Sequence, residues 1–387
     1  MASRGSRFPF WHGSIVLTSI IAILLSAASP TRGQSPIRRY LYVGTPDGAQ
    51  AYMQAPDRRS APGILIFDID NGHEFVRRID MPRFAEGLRG YYGGLRGFTG
   101  NLLTHSVYYS IAEGGLGAFD LETEEIVWEQ SYHDVGCCDR SSITMDGKKI
   151  YAPTGWWYPG ADSGLAVIDA ENGELIKRIP VGLEAHNSIV SLDGRRAYLG
   201  TLAMLTVIDT STDGIIRQIN DVGEDRVFPF TMDRDNRIGY VCLGEHVGFQ
   251  VVDLETGEIK HRVLAGDEPI PHQSHGVALT PDETELWISD QTNRKFYVFD
   301  ATKMPPEPKD EVEVSEDGHG WITFSIDGQY AWTHTSDVFD ARTKESVATL
   351  KDEAGKPIAS SKFLEVHFRD GKVVAVGNEF GLGRKRD

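Results

Sequence analysis

Histidine, aspartate and cysteine are side chains that hold first-row transition metals, and four short stretches of this sequence offer them. These are CCDR, with Cys137, Cys138 and Asp139; EAHN, with His186; PHQSHG, with His272 and His275; and DGHG, with His319. A metal ion held by such groups with a coordination position left open would polarise a bound carbonyl or acidify a water. His272 and His275 stand three apart. In an extended strand such residues face opposite sides, so His275 rather than His272 is expected to join His186. A second group suits an organic ligand. RGYYGGLRGFTG carries Tyr92 and Arg96 among glycines that let the backbone come close, and the arginine can pair with a carboxylate. TGWWYPGADSG carries Trp156, Trp157 and Tyr158 in succession, whose flat rings can stack on a sugar or an organic ring, and His272 belongs with this ligand-binding set.

Whether residues so distant in sequence meet depends on the elements that carry them, and an internal repeat supplies those elements. ITMDGKKIYAP, VSLDGRRAYLG, DRDNRIGYVCL, LTPDETELWIS, FSIDGQYAWTH and HFRDGKVVAVG each run from an extended stretch through a polar turn into a second one. Their aspartates, Asp146, Asp193, Asp235, Asp282, Asp327 and Asp370, follow one another at intervals of 42 to 47 residues. Third strands such as LAVIDAENG and FQVVDLETG and fourth strands such as ELIKRIPVG come after most of them. Four strands in about 40–45 residues is the blade of a β-propeller. Residues 38–84 make a blade lacking its first strand, and FLEVHFRDGKVVAVG is a first strand lacking its blade. The reading is therefore all-β: seven four-stranded antiparallel blades, with the two chain ends sharing one and so removing the open sheet edges. Either YLYVGTP or KVVAVG can supply the second strand of the shared blade.

The VIDxxTG and SxDGxxxY phrases resemble the YVTN-repeat family of secreted or periplasmic seven-bladed propellers over nearly the whole mature chain. The resemblance implies the fold and says little about function, because the repeated residues are turn and core residues. Counting seven residues back from each anchor reaches Asp139, His186, Phe228, His275, Gly320 and Phe363, at the top of each first strand beside the central channel. Asp139, His186, His275 and His319 are thus the expected metal group. Cys137 and Cys138 are expected either as thiolate ligands or as buried, inert thiols. Adjacent cysteines rarely bond each other, so a bridge would run to Cys242. Other top loops, with Glu113, Glu245 and His246, Asp290 and Asn293, and His334 and Asp337, are read as solvated.

The N-terminus places Arg4 and Arg7 ahead of an apolar run from Ile15 to Ala28, the pattern of a secretory signal peptide over residues 1–33. The single propeller domain then covers 34–387, outside the cytoplasm. A formal charge of −17 speaks against nucleic acid as a partner. No Walker loop, GxSxG elbow or CxxCH haem motif is present. The first functional reading is binding of a small molecule, glycan or protein at the top funnel. By analogy of fold, the second is a metal-dependent lyase or lactonase in the same funnel, with a divalent transition metal as cofactor. The third is an accessory subunit of a quinone-linked oxidoreductase.

Overall fold

The structure is a computed structural model that describes residues 1–2, 35–48, 60–85, 94–111, 114–156, 163–182, 184–202, 204–224, 227, 229–269, 274–316 and 320–378. The chain divides into Met1–Ser35 and Pro36–Asp387. The signal-peptide segment lies outside the described residues. Among those residues, no helix is long and apolar enough to cross a membrane.

Seven antiparallel sheets form the ring, as the repeat requires. Six have four strands in sequence order. Their inner strands are Leu95–Asn101, Ser142–Ile143, Ser188–Val190, Phe230–Met232, Val277–Leu279 and Ile322–Phe324, in blades 2 to 7. The repeat aspartates work as turn residues. Asp146 Oδ1 accepts from Thr144 Oγ1 at 2.7 Å and from the Lys148 amide at 3.2 Å, which closes the hairpin. Gly147 beside it has φ 72°, a left-handed conformation that glycine adopts without a steric cost. In blade 5 this role falls to Asp233, which takes the Arg237 and Ile238 amides, rather than to Asp235. The aspartate of each VIDxxTG phrase caps the next turn in the same way. Asp253 accepts from the Thr256 amide at 2.8 Å, and these bonds hold its carboxyl at about 2.

Blade 1 closes the ring with both chain ends. Arg38–Thr45 pairs with Phe363–Arg369 on one side and with Gly63–Asp68 on the other, so YLYVGT is the second strand. KVVAV also pairs, as a fifth strand, Lys372–Val376, on the far side of Phe363–Arg369. Lys372 Nζ reaches Glu122 of blade 2 at 2.6 Å, tying this extra strand to its neighbour.

The core lies between blades rather than inside one. Ile189, Tyr198 and Val207 of blade 4 pack with Phe230, Met232 and Val252 of blade 5, all buried. Each sheet buries both faces against its neighbours, so the first-strand tops are fixed relative to one another by several interlocked hydrophobic layers. Rigid placement of those tops is what the candidate site depends on.

Candidate functional site

Residues just ahead of the inner strands stand at equivalent places in the ring. His186 lies two residues before Ser188, His275 two before Val277, Arg140 two before Ser142, and Ser361 two before Phe363. His186 and His275, from blades 4 and 6, meet: their Nε2 atoms are 3.3 Å apart, and both rings are buried. Asn187 Oδ1 lies 3.2 Å from His186 Nδ1. An oxygen there accepts from Nδ1–H, which leaves the Nε2 lone pair facing His275. Trp156 sets its ring edge-on to His186, centroids 4.6 Å apart. Burial holds the His186 imidazole below its ordinary pKa against the opposing pull of Asp139, and Arg140 and Lys362 push it the same way.

The wall beside the histidines is charged. Arg140 stacks on Trp321 with its guanidinium carbon 3.4 Å from the ring centroid, and donates to Ser361 Oγ at 2.5 Å and to the Ser361 carbonyl at 3.3 Å. The Ser361 hydroxyl in turn donates to Asp47 Oδ2, which also takes the Ser361 amide at 2.8 Å. Lys362 Nζ lies 3.3 Å from the same carboxylate oxygen, with both side chains almost wholly buried. This chain of bonds joins blades 1, 3 and 7 around one serine.

Asp139 is buried, and its amide donates to the Pro153 carbonyl at 3.1 Å. It does not close with the two histidines into a three-donor group. Among the described residues the one such group, with atoms within 4.8 Å, is Glu224, Glu245 and His246. There Arg262 Nη2 already sits 3.1 Å from His246 Nδ1 and against Glu224 Oε1, so a cation occupies the acidic corner.

Cys137 and Cys138 are bonded to each other, contrary to the expectation that adjacent cysteines avoid this and that any bridge would run to Cys242. Cys242 is a free, buried thiol whose pKa burial pushes up. The disulfide segment is also pinned to the Trp156 strand, since the Gly155 amide donates to the Gly136 carbonyl at 2.9 Å. Arg96 is buried on the inner strand of blade 2. Tyr92, Trp157, Tyr158, His272 and His319 lie outside the described residues. Asp290, His334 and Asp337, expected as solvated, are buried. Asp290 and Asp337 are consumed in loop hydrogen bonds, to Asn293 and to Ser315 and Thr335.

Sequence reasoning missed Arg140, Asp47, Trp321, Ser361 and Lys362. Three of these adjoin positions the seven-residue count did reach: Arg140 follows Asp139, Trp321 follows Gly320 and Lys362 precedes Phe363. Their signal was the count applied with a one-residue tolerance. Asp47 follows the second strand of the shared blade and carried no repeat signal.

No protein-family model matches this chain, and no curated protein matches it. Among solved structures it is similar to Kuenenia stuttgartiensis hydrazine synthase, with a TM-score of 0.52 and 17% identity over 65% of this chain and 77% of that one. A likeness at that identity is one of fold.

Proposed function

We propose that this propeller binds a small ligand at the top of its central channel through a divalent transition-metal ion held between His186 and His275, on a protein exported from the cytoplasm. The observation that carries the reading is the 3.3 Å separation of two buried Nε2 atoms. Two imidazole nitrogens bound at 2.0–2.1 Å to one tetrahedral ion stand about 3.3–3.4 Å apart. The same separation also suits a long hydrogen bond between the two rings, and the metal test below tells the two apart. The Asn187 contact, which orients the His186 lone pair, is the kind of outer partner that metal-bound histidines use. The buried Asp139 carboxylate supplies charge near the ion without closing on it. Trp156 gives the ligand an apolar ring beside the metal.

Elemental analysis tests this. After dialysis against zinc, nickel or copper and removal of excess, the wild-type protein is expected to keep about one ion per chain, and a folded His186→Ala/His275→Ala variant less than a tenth of that. A wild-type protein that comes out metal-free from all three ions overturns the reading and leaves the histidines as a hydrogen-bonded pair.

A metal-dependent lyase or lactonase is the second reading of the same site. Two protein donors would leave at least two positions on a tetrahedral ion, room for a substrate oxygen and a water together. Metal-dependent turnover of a lactone or a uronic-acid substrate would raise it above simple binding. The third reading, a subunit of a quinone-linked oxidoreductase, draws no support from a hydrazine synthase structure that shares the fold alone.

A further inference from the structure

Blade 7 has no side chain of its own at the ring position that His186 and His275 fill in blades 4 and 6. Gly320 stands there, two residues before Ile322, with φ 77°. Two side chains of blade 6 cover it instead. The point that a Cβ on Gly320 would take is 2.6 Å from Ser289 Oγ, 3.2 Å from Gln291 Cγ and 3.3 Å from Gln291 Nε2. Ser289 belongs to the second strand of blade 6, Glu285–Asp290, and Gln291 follows that strand. The Ser289 amide donates to the Gly276 carbonyl at 2.9 Å, and Gly276 follows His275, so this polar cover adjoins the histidine seat. Neither donor is used within the protein. Ser289 Oγ and Gln291 Nε2 are buried atoms with no hydrogen-bond partner among the described residues, and Ser289 is fully buried. Asn187 Nδ2, on the residue after His186, is a third such atom. Buried donors are ordinarily satisfied, because an unmade bond costs the whole desolvation of the group. An internal water would serve Ser289 and Gln291 alone; unmet donors on both histidine-bearing blades point to one ligand that spans the seat.

We infer that the channel top takes an uncharged polyhydroxy ligand of monosaccharide size, with Ser289 and Gln291 donating to its oxygens on the side of blades 6 and 7 and Asn187 on the side of blade 4. Amide and hydroxyl donors without charge match hydroxyl and carbonyl oxygens, whereas carboxylates and phosphates call for charged partners. A sugar hydroxyl also accepts and donates at once, as Ser289 does. Trp156, edge-on to His186, offers a ring for the apolar face of a sugar. The inference rests on the ligand seat proposed above and adds the chemical class of the ligand. It makes Ser289 and Gln291 specificity residues that act whether or not an ion is bound.

The experiment is calorimetric titration of the exported protein, metal-free and zinc-dialysed, with D-glucose, D-galactose, D-mannose and D-xylose in turn. At least one sugar is expected to bind with a millimolar or tighter Kd. Ser289→Ala and Gln291→Leu are each expected to weaken that binding by roughly threefold to tenfold, the worth of one hydrogen bond. Their urea midpoints should stay at or above that of wild type, because neither variant removes a bond that the donor makes within the protein. A merely structural role would move the midpoint and leave the affinity alone. Sugar binding that both variants leave unchanged, or no binding of any of the four sugars by either form, overturns the inference and leaves the donors to internal water. Zinc uptake without sugar binding therefore removes the sugar and keeps the metal seat. Sugar binding by a protein that takes up no zinc keeps the inference and removes the metal.

Discussion

Replacing Asn187 with leucine separates a metal-tuning contact from mere packing. Asn187 is fully buried, and its side-chain Oδ1 accepts from His186 Nδ1 at 3.2 Å. Leucine keeps much of the volume and removes the acceptor, so the His186 proton loses its reason to sit on Nδ1. Outer partners of metal-bound histidines are worth roughly 10–100-fold in affinity. A contact at the long end of the hydrogen-bond range places Asn187 near the lower figure, about tenfold, or about 1.4 kcal/mol. The fold should tolerate the change, because the amide nitrogen has no bond to lose. The assay is competition for zinc against a chromogenic chelator, with circular dichroism confirming the fold. Asn187→Asp is the discriminating partner variant: its carboxylate still accepts from Nδ1–H and should hold zinc at least as tightly as wild type. A folded Asn187→Leu protein with wild-type affinity would refute the tautomer argument, whatever Asn187→Asp does.

Other positions give sharper tests of the framework. His73 is buried, accepts from Trp332 Nε1 at 3.0 Å and has its pKa lowered from 6.5 to about 4, chiefly by burial. Its contribution to stability is complete above pH 6.5 and is lost as the pH falls toward 4, by roughly 3 kcal/mol. Urea midpoints measured across that window should slope for wild type and flatten for His73→Asn, which suits the φ of 61° at this residue; equal slopes would count against the assignment. Alkylation of unfolded, unreduced protein should modify Cys242 alone, and all three cysteines after reduction, whereas three modified thiols without reduction would contradict the Cys137–Cys138 bond. A Cβ on Gly276 would lie 1.5 Å from the Gly320 carbonyl oxygen, a backbone atom with no freedom to move aside. Gly276→Ala should therefore push blades 6 and 7 apart, displace His275 and lose zinc, and a variant of wild-type stability would show that the two blades do not meet in this register.

The seven blades were legible because turn chemistry repeats: an aspartate that caps its own hairpin is the same solution at Asp146, Asp193, Asp282 and Asp327. His186 and His275 were legible for the same reason, since both sit seven residues ahead of such a turn. The count failed where the turn itself varies. Blade 5 moves its cap to Asp233, and Asp370 takes up the left-handed conformation itself, at φ 52°, to start the fifth strand. Arg140 and Lys362 escaped because a basic residue in an acidic chain reads as a solvated charge, and only the closed ring shows them buried against Trp321 and Asp47. The Cys137–Cys138 bond escaped because its likelihood depends on the local backbone, which spacing does not report.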